Sequence, residues 1–307
     1  MGVVLALEGL AKKFGDRVAV AEVDLTVQRG EILGLLGPNG AGKTTTISMT
    51  CGVLPPSAGT ARIAGHDIRT EKAAAKRALG LVPQDLALYE DLSARQNLRF
   101  FGQLYGVRGA ELDARTAWAL GVAGLVDRAD EIVKKFSGGM KRRLNLVTSL
   151  IHEPMLLILD EPTVGVDPQS RRHIFDAIRA LRGDGMTVVY TSHYIEEIEE
   201  LCDRVAIMDA GRIVASGTIA ELTQHRGGGL EIELEGDEAQ LAAAAAAVAA
   251  QGVARDGAVL RFARPEAWTP IVSALEASGA RIARIGAQPA DLETVFLALT
   301  GRGLRDA

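Results

Sequence analysis

The chain has 307 residues, a net charge of −5 and 48% hydrophobic residues, most of them aliphatic. That length leaves room for more than one domain, the aliphatic bias suits a parallel α/β sheet, and the acidic balance argues against a nucleic-acid binder. No apolar run reaches the roughly 18 residues of a membrane span, no secretory signal peptide is expected, and Cys51 and Cys202 have no metal-ligand spacing and read as reduced, packed thiols of a cytosolic protein.

In chain order, residues 3–7 and 18–27 read as strands, with Phe14 in a polar loop between them. A lone aromatic there either packs locally or stacks on a base. The apolar run 32–36 is a third strand. It leads into Gly37, Pro38, Asn39, Gly40, Ala41, Gly42, Lys43 and Thr44, followed by Thr45 and a helix-compatible run to residue 49. These residues fill every fixed position of the phosphate-binding pattern Gly-x-x-x-x-Gly-Lys-Ser/Thr. The glycines let the backbone turn tightly and aim its N–H groups at phosphate oxygens, and the following helix adds its positive end. In that pattern Lys43 reaches the β- and γ-phosphates and the Thr44 hydroxyl binds Mg²⁺.

Strands follow at 60–64 and 79–83. Gln84 is then either an ordinary loop glutamine or a neutral amide that touches Mg²⁺ or the lytic water. Residues 85–150 are mainly helical. Ser137, Gly138 and Gly139 lie ahead of the helical run 144–151. They form either a flexible loop or, with Ser137 as N-cap, a second anion site at a helix start. The basic group Lys134, Lys135, Lys141, Arg142 and Arg143 tunes this region or is simply solvated.

The continuous apolar run 155–159 reads as a central strand buried on both faces, and ligands of such sheets lie beyond the carboxyl ends of the strands. At that end Asp160 can hold the hydration shell of Mg²⁺, and Glu161 can act as general base on the attacking water. An acidic strand end facing solvent is the plainer alternative. His193 ends the β-rich run 187–191, from where it can reach a γ-phosphate. His66, His152, His173 and His225 have no such setting and read as surface residues. Further strands begin near Arg204 and Arg212.

Taken together these stretches resemble the ATP-binding subunit of an ABC transporter, over about residues 1–225. The match includes the P-loop from Gly37 to Thr44 and the signature Phe136-Ser137-Gly138-Gly139-Met140. It also includes the Walker B strand 156–160 with Glu161, a D-loop at Thr163-Val164-Gly165-Val166-Asp167, a Q-loop at Gln84 and a switch histidine at His193. Phe14 matches the adenine-stacking aromatic. Phe136 and Met140 replace the usual Leu and Gln of the signature, and Val166 replaces a Leu in the D-loop, while no catalytic position is degenerate.

The resemblance implies an α/β P-loop NTPase of the ABC type with a helical insert at 85–150, ATP and Mg²⁺ as cofactors, and ATP hydrolysis coupled to transport. Phe14, the P-loop through Thr45, Ser137, Gly138 and Gly139 would bind ATP. Thr44, Gln84 and Asp160 would serve Mg²⁺, and Glu161, His193 and Gln84 would serve catalysis. It further implies a second copy of the chain, whose signature completes each site, and a separate integral membrane permease that docks on the insert. The subunit would then lie on the cytoplasmic face of the membrane. Residues 85–105, with Leu86, Leu88 and Tyr89, are candidate permease contacts or core of the insert. A soluble ABC ATPase acting as a conformational switch on a cytosolic assembly is the alternative.

A composition shift at 226–229 suggests a linker. Residues 230–307 then read as a small accessory α/β domain without a catalytic cluster, with strands at 230–234, 258–262 and 280–285 and helices at 238–251, 265–278 and 290–299. Its ending resembles the C-terminal extension of drug-resistance and antibiotic-export ATPases. That likeness, with the absence of a membrane-span pattern, points to an exporter of the multidrug type; a regulatory or dimer-stabilising role for the tail is a separate hypothesis.

Overall fold

A computed structural model describes residues 2–224, 229–262, 267–288 and 291–300. Of the expected linker 226–229 only Gly229 falls among the described residues, and His225 lies outside them. The chain divides into two compact units, Met1–Ser216 and Gly217–Ala307.

The first unit opens with β1 (Val3–Phe14), β2 (Arg17–Gln28) and β3 (Ile32–Leu36). β1 and β2 form a long antiparallel hairpin in which Phe14 faces Arg17 across a two-residue turn. Phe14 therefore ends a strand rather than sitting in a loop. The chain continues through α1 (Lys43–Thr50), β4 (Ala58–Ile63), β5 (His66–Asp67), α2 (Lys72–Arg77) and β6 (Leu79–Val82). The helical part carries α3 (Ala94–Leu104), α4 (Gly109–Val122) and α5 (Gly138–Thr148). Then come β7 (Leu156–Asp160), α6 (Pro168–Gly183), β8 (Thr187–Ser192), α7 (Ile195–Leu201), β9 (Arg204–Asp209) and β10 (Arg212–Thr218).

Local chemistry sets several of these starts. Ser93 and Gln96 close a capping box on α3. Asp167 caps α6, with Pro168 in its first turn. α5 begins at Gly138, ahead of the apolar run from residue 144, because Ser137 is its N-cap as the sequence suggested, accepting from the Met140 N–H.

Two sheets organise this unit. The antiparallel sheet runs β2-β1-β4-β5, and the larger one runs β10-β9-β3-β8-β7-β6. In the larger sheet β6, β7, β8, β3 and β9 are parallel neighbours. β3, β7 and β8 are buried along their whole length, as strands covered on both faces must be. β8 therefore lies between the strand that leads into the P-loop and the strand that ends in Asp160. All three carboxyl ends meet on one edge, and the first unit's core packs beneath them with Leu33, Leu35, Ile158 and Val189 at its centre.

The second unit begins with the end of β10 and α8 (Ile219–Gln224), then β11 (Gly229–Glu235), α9 (Glu238–Ala247), β12 (Val253–Asp256), β13 (Val259–Phe262), α10 (Trp268–Ala277), β14 (Arg281–Gln288) and α11 (Leu292–Thr300). Its sheet order is β12-β13-β11-β14, the paired strands all antiparallel, which is a split β-α-β arrangement. β12 was not expected from sequence, since Val253-Ala254-Arg255-Asp256 offers no apolar run. One sheet face buries Leu230, Ile232, Leu260 and Phe262 against Leu241 of α9 and Ile271 and Leu275 of α10. The alternate positions Glu231, Arg261 and Arg284 pair with each other instead.

Because Ile158 is fully buried in the middle of β7, Ile158→Ala should lower the stability of the first unit by roughly 2–5 kcal/mol. The check is the urea midpoint of the wild-type and variant chains.

Candidate functional site

A cleft of about 330 Å³ opens at the shared carboxyl edge of β3 and β7. Pro38, Asn39, Gly40, Gly42, Lys43, Thr44 and Thr45 line it from the P-loop, and Gln84 and Glu161 reach it from the ends of β6 and β7. Arg17, Val18 and Ala19 line it from the β1–β2 hairpin, and Ala210 and Gly211 from the β9–β10 turn. Sequence reading missed these last five. The only signal available was that both turns adjoin strand ends, since neither carries a recognisable motif.

The P-loop is wedged tightly against the sheet. An ideal Cβ on Gly37 would overlap the Met208 carbonyl oxygen of β9, so only glycine fits there. Gly42 has φ +107, a conformation that favours glycine, and its Cβ would lie 2.8 Å from the Ala19 carbonyl oxygen. Ala41 is buried, and its carbonyl accepts from the Gly211 N–H at 2.9 Å. These contacts fix the loop backbone independently of any ligand.

Lys43 is only 4% exposed. Its Nζ donates to the carbonyls of Gly37 at 2.6 Å and Pro38 at 3.2 Å, and lies 3.2 Å from Glu161 Oε1. Burial pulls its pKa down, and the neighbouring Glu161 and Asp160 partly offset that. Glu161 follows the end of β7 with φ +47, a strained backbone for a residue with a side chain. Its N–H donates to Thr191 Oγ1 at 2.9 Å, and its Oε2 lies 3.3 Å from Nδ1 of His193. That ring nitrogen makes no aligned hydrogen bond, so the histidine contact is a close approach rather than a lock.

Asp160 is buried beside them. It accepts from Thr191 Oγ1 at 2.8 Å and from the Thr44 hydroxyl. Burial is the main cause that lifts its carboxyl pKa above the usual range, and the two hydroxyl donors only partly reverse it. Thr191 therefore ties the Asp160 carboxylate and the Glu161 backbone N–H to the neighbouring β8, a role with no local sequence signal.

Gly37, Ala41, Asp160 and His193 do not line the cleft themselves but adjoin residues that do, and two further groups of expected residues lie away from it. Phe14 is half exposed and is not among its lining residues; Lys12 Nζ sits 5.1 Å over its ring instead. Ser137, Gly138 and Gly139 are also absent from the lining. They start α5, where Gly139 abuts Ser170 so closely that a Cβ would overlap its hydroxyl. The basic group beside them is more than a solvated patch. Arg142 donates to the Gln84 carbonyl, Arg143 to the Ala123 carbonyl at 2.5 Å, and Lys141 to Glu90 at 2.5 Å.

The histidines outside the cleft differ from one another. His173 is exposed, while His66 and His152 are half-buried. His152 stacks on Tyr105 at 3.7 Å, lies with Nε2 3.0 Å from the Leu79 carbonyl, and has its pKa lowered by burial. Cys51 and Cys202 are free and buried, and burial pushes the Cys51 thiol up to about 12, which makes it inert.

Comparison with known proteins agrees with this geometry. Residues 20–164 match the ABC transporter family. The linearmycin resistance ATP-binding protein of Bacillus subtilis is 42% identical, over 99% of this chain and 100% of its own. The Nod factor export ATP-binding protein I of Cupriavidus metallidurans is 40% identical over 100% of both chains. A daunorubicin resistance ATP-binding protein of Streptomyces coeruleorubidus is 40% identical over 97% of this chain and 96% of its own. A solved ATP-binding subunit of an ABC transporter superposes with a TM-score of 0.67 at 29% identity, covering 72% of this chain and 92% of that one. A phosphate-cradling loop, a buried lysine and a carboxylate pair at one sheet edge, together with relatives matched over essentially the whole length, place the chain in the ABC transporter family as an ATP-binding subunit with ATPase activity.

Proposed function

We propose that this subunit powers a separate membrane permease, and that the pair exports an antibiotic-like or other amphipathic compound. Export as the direction rests on the relatives named for drug resistance and Nod factor export. The observation that supports the permease partner is a mixed, partly apolar groove between the helical part of the first unit and its α1, α2 and β6 region. It has a volume of about 170 Å³ and is lined by Val53, Leu81, Ala87, Phe101 and Tyr105 among others. Its surroundings expose Leu104 at 69% and Tyr89 at 50%, and Val53 itself is 69% exposed. Among the described residues no helix is long and apolar enough to cross a membrane, so the membrane-spanning work would fall to another chain. Leu86 and Tyr89 face outward and serve docking, whereas Leu88 packs into the core of the helical part.

In this reading the P-loop N–H groups and Lys43 hold the ATP phosphates, with the start of α1 adding its positive end. Glu161 polarises the lytic water and His193 steadies the γ-phosphate and that carboxylate. Oxygen donors from Thr44, Asp160 and Gln84 suit Mg²⁺, a hard cation that keeps several waters. Among the described residues no three acidic, histidine or cysteine side chains form a metal cage, which fits an ion held jointly by protein, water and phosphate. When bound, Mg²⁺ would neutralise charge building on the phosphates. Ser137, Gly138 and Gly139 would complete the site of a second copy across a two-fold axis, since they lie outside the cleft of their own chain. Phe14, half exposed, would stack on adenine.

Glu161→Gln should keep ATP binding and lower turnover about a hundredfold or more; near-normal hydrolysis would remove Glu161 as the base. Asp160 gives a different signature. Its raised carboxyl pKa means that the folded state favours the protonated form, so its favourable share of stability is present below the unfolded value of about 3.9 and is lost as pH rises through the folded value. Asp160→Asn should therefore raise the thermal midpoint at pH 7 while abolishing Mg²⁺-dependent hydrolysis, and the gain in midpoint should shrink as the pH is lowered towards 4. The permease reading is tested by isolating tagged Glu161→Gln subunit with ATP from detergent-solubilised membranes. A stoichiometric polytopic partner is expected; recovery only from the soluble fraction would favour a cytosolic switch.

A further inference from the structure

Glu197 has no part in the roles proposed above, yet it is only 2% exposed and lies directly behind the site. It projects from α7, gathers hydroxyl donors from two other segments and faces a guanidinium from a third. Thr163, in the loop after β7, donates its hydroxyl to Oε1 at 2.8 Å. From the end of β8, the Tyr190 and Ser192 hydroxyls donate to Oε2 at 2.9 and 2.8 Å. Arg171, near the start of α6, brings Nε within 3.4 Å of Oε1.

A carboxylate this deep persists only when charge and hydrogen bonds match it, and an apolar residue would serve packing at least as well. The pattern of its partners points to a geometric task. Ser192 spends its proton on Glu197 and accepts the Tyr194 N–H at 2.9 Å. Both neighbours of His193 are thereby pinned, while the His193 ring itself has no aligned hydrogen bond to hold it against Glu161. Thr163 is two residues beyond Glu161, so the same carboxylate also anchors the loop that carries the strained Glu161 backbone.

We propose that Glu197 is a positioning residue for ATP hydrolysis: it ties the loop after β7 and the loop after β8 to one buried carboxylate and so sets His193 in register with Glu161. The proposal rests on the roles given to Glu161 and His193 above. Glutamine at this position keeps the size but removes the charge paired with Arg171 and one of the two acceptor oxygens.

The test compares ATP turnover, ATP affinity and thermal midpoint for Glu197→Gln, Ser192→Ala, His193→Ala and the Glu197→Gln/His193→Ala double variant of the full chain. Ile198→Val serves as a stability control, because Ile198 is fully buried in α7 and its apolar side chain takes no part in these hydrogen bonds. Expected is a fall in kcat of about tenfold for Glu197→Gln and Ser192→Ala with KM within about twofold. Adding Glu197→Gln to His193→Ala should lower kcat little further, as residues acting through one another are not additive. Should Glu197→Gln not fold, Ser192→Ala leaves Glu197 with its other three partners and still cuts the link to the histidine loop. Turnover in both variants that merely follows the thermal midpoint, as in Ile198→Val, overturns the proposal, and so does full additivity with His193→Ala. An unchanged kcat in His193→Ala alone would instead overturn the role given to His193, and with it the route by which Glu197 acts.

Discussion

Three ionisable groups with little access to water lie at one sheet edge: the ammonium of Lys43 and the carboxylates of Asp160 and Glu161. Burying such groups is unfavourable unless each finds opposite charge or donors, and removing one partner leaves the others uncompensated. Here the compensation is nearly complete within the chain. Lys43 bridges two P-loop carbonyls and Glu161, while Asp160 is served by Thr44 and Thr191. The lowered pKa of Lys43 and the raised pKa of Asp160 show that burial still outweighs that compensation for both groups. A site poised in this way gains when polyanionic phosphate and a cation enter together, because each brings the charge that a buried group lacks.

The strand order makes that convergence possible. β8 lies between β3 and β7, so Thr191 near its end meets the Asp160 carboxylate and the Glu161 N–H from one side, and His193 follows two residues on. With β3 and β7 adjacent instead, the P-loop and Asp160 could still meet, but no strand would deliver a histidine between them. The tight seat of Gly37 on β9 closes the arrangement from the other flank. Position in this site is thus set by parallel pairing over the whole sheet, not by the loops alone.

What the sequence made legible was whatever is contiguous. Gly37 to Thr44 and Asp160-Glu161 carry their chemistry in a few adjacent residues, and the structure gathers the P-loop, Gln84, Glu161 and His193 at one edge. The signature start was legible too, through Ser137, whose cap and the packing of Gly139 on Ser170 override the poor helix propensity of the two glycines. Arg17, Ala19, Ala210 and Gly211 were invisible because turns brought near by distant pairing leave no local pattern. Glu197 was hidden for a similar reason: it stands in a run with Glu196, Glu199 and Glu200, and nothing local shows which of them a neighbouring strand and loop will bury. Strand order, which decides all of these, depends on pairings over a hundred or more residues, such as Leu33 with Val189.

Contact continuity links the two halves of the proposed chemistry inside one chain. The start of α5 cannot shift towards α6 without displacing Ser170, because Gly139 leaves no room for even a methyl group. Ser170 donates its N–H to the Asp167 cap of α6 at 2.9 Å, and the next residue, Arg171, approaches Glu197. Glu197 in turn holds Ser192, beside His193 and within reach of Glu161. On its other side α5 reaches the cleft through Arg142 and the carbonyl of Gln84. Packed cores transmit displacement rather than absorb it, so a ligand that repositions the start of α5 would be felt at both Gln84 and Glu161. A second chain presenting its nucleotide to Ser137 and Gly138, as proposed above, would act at that point, and residues outside the cleft would then bear on those lining it.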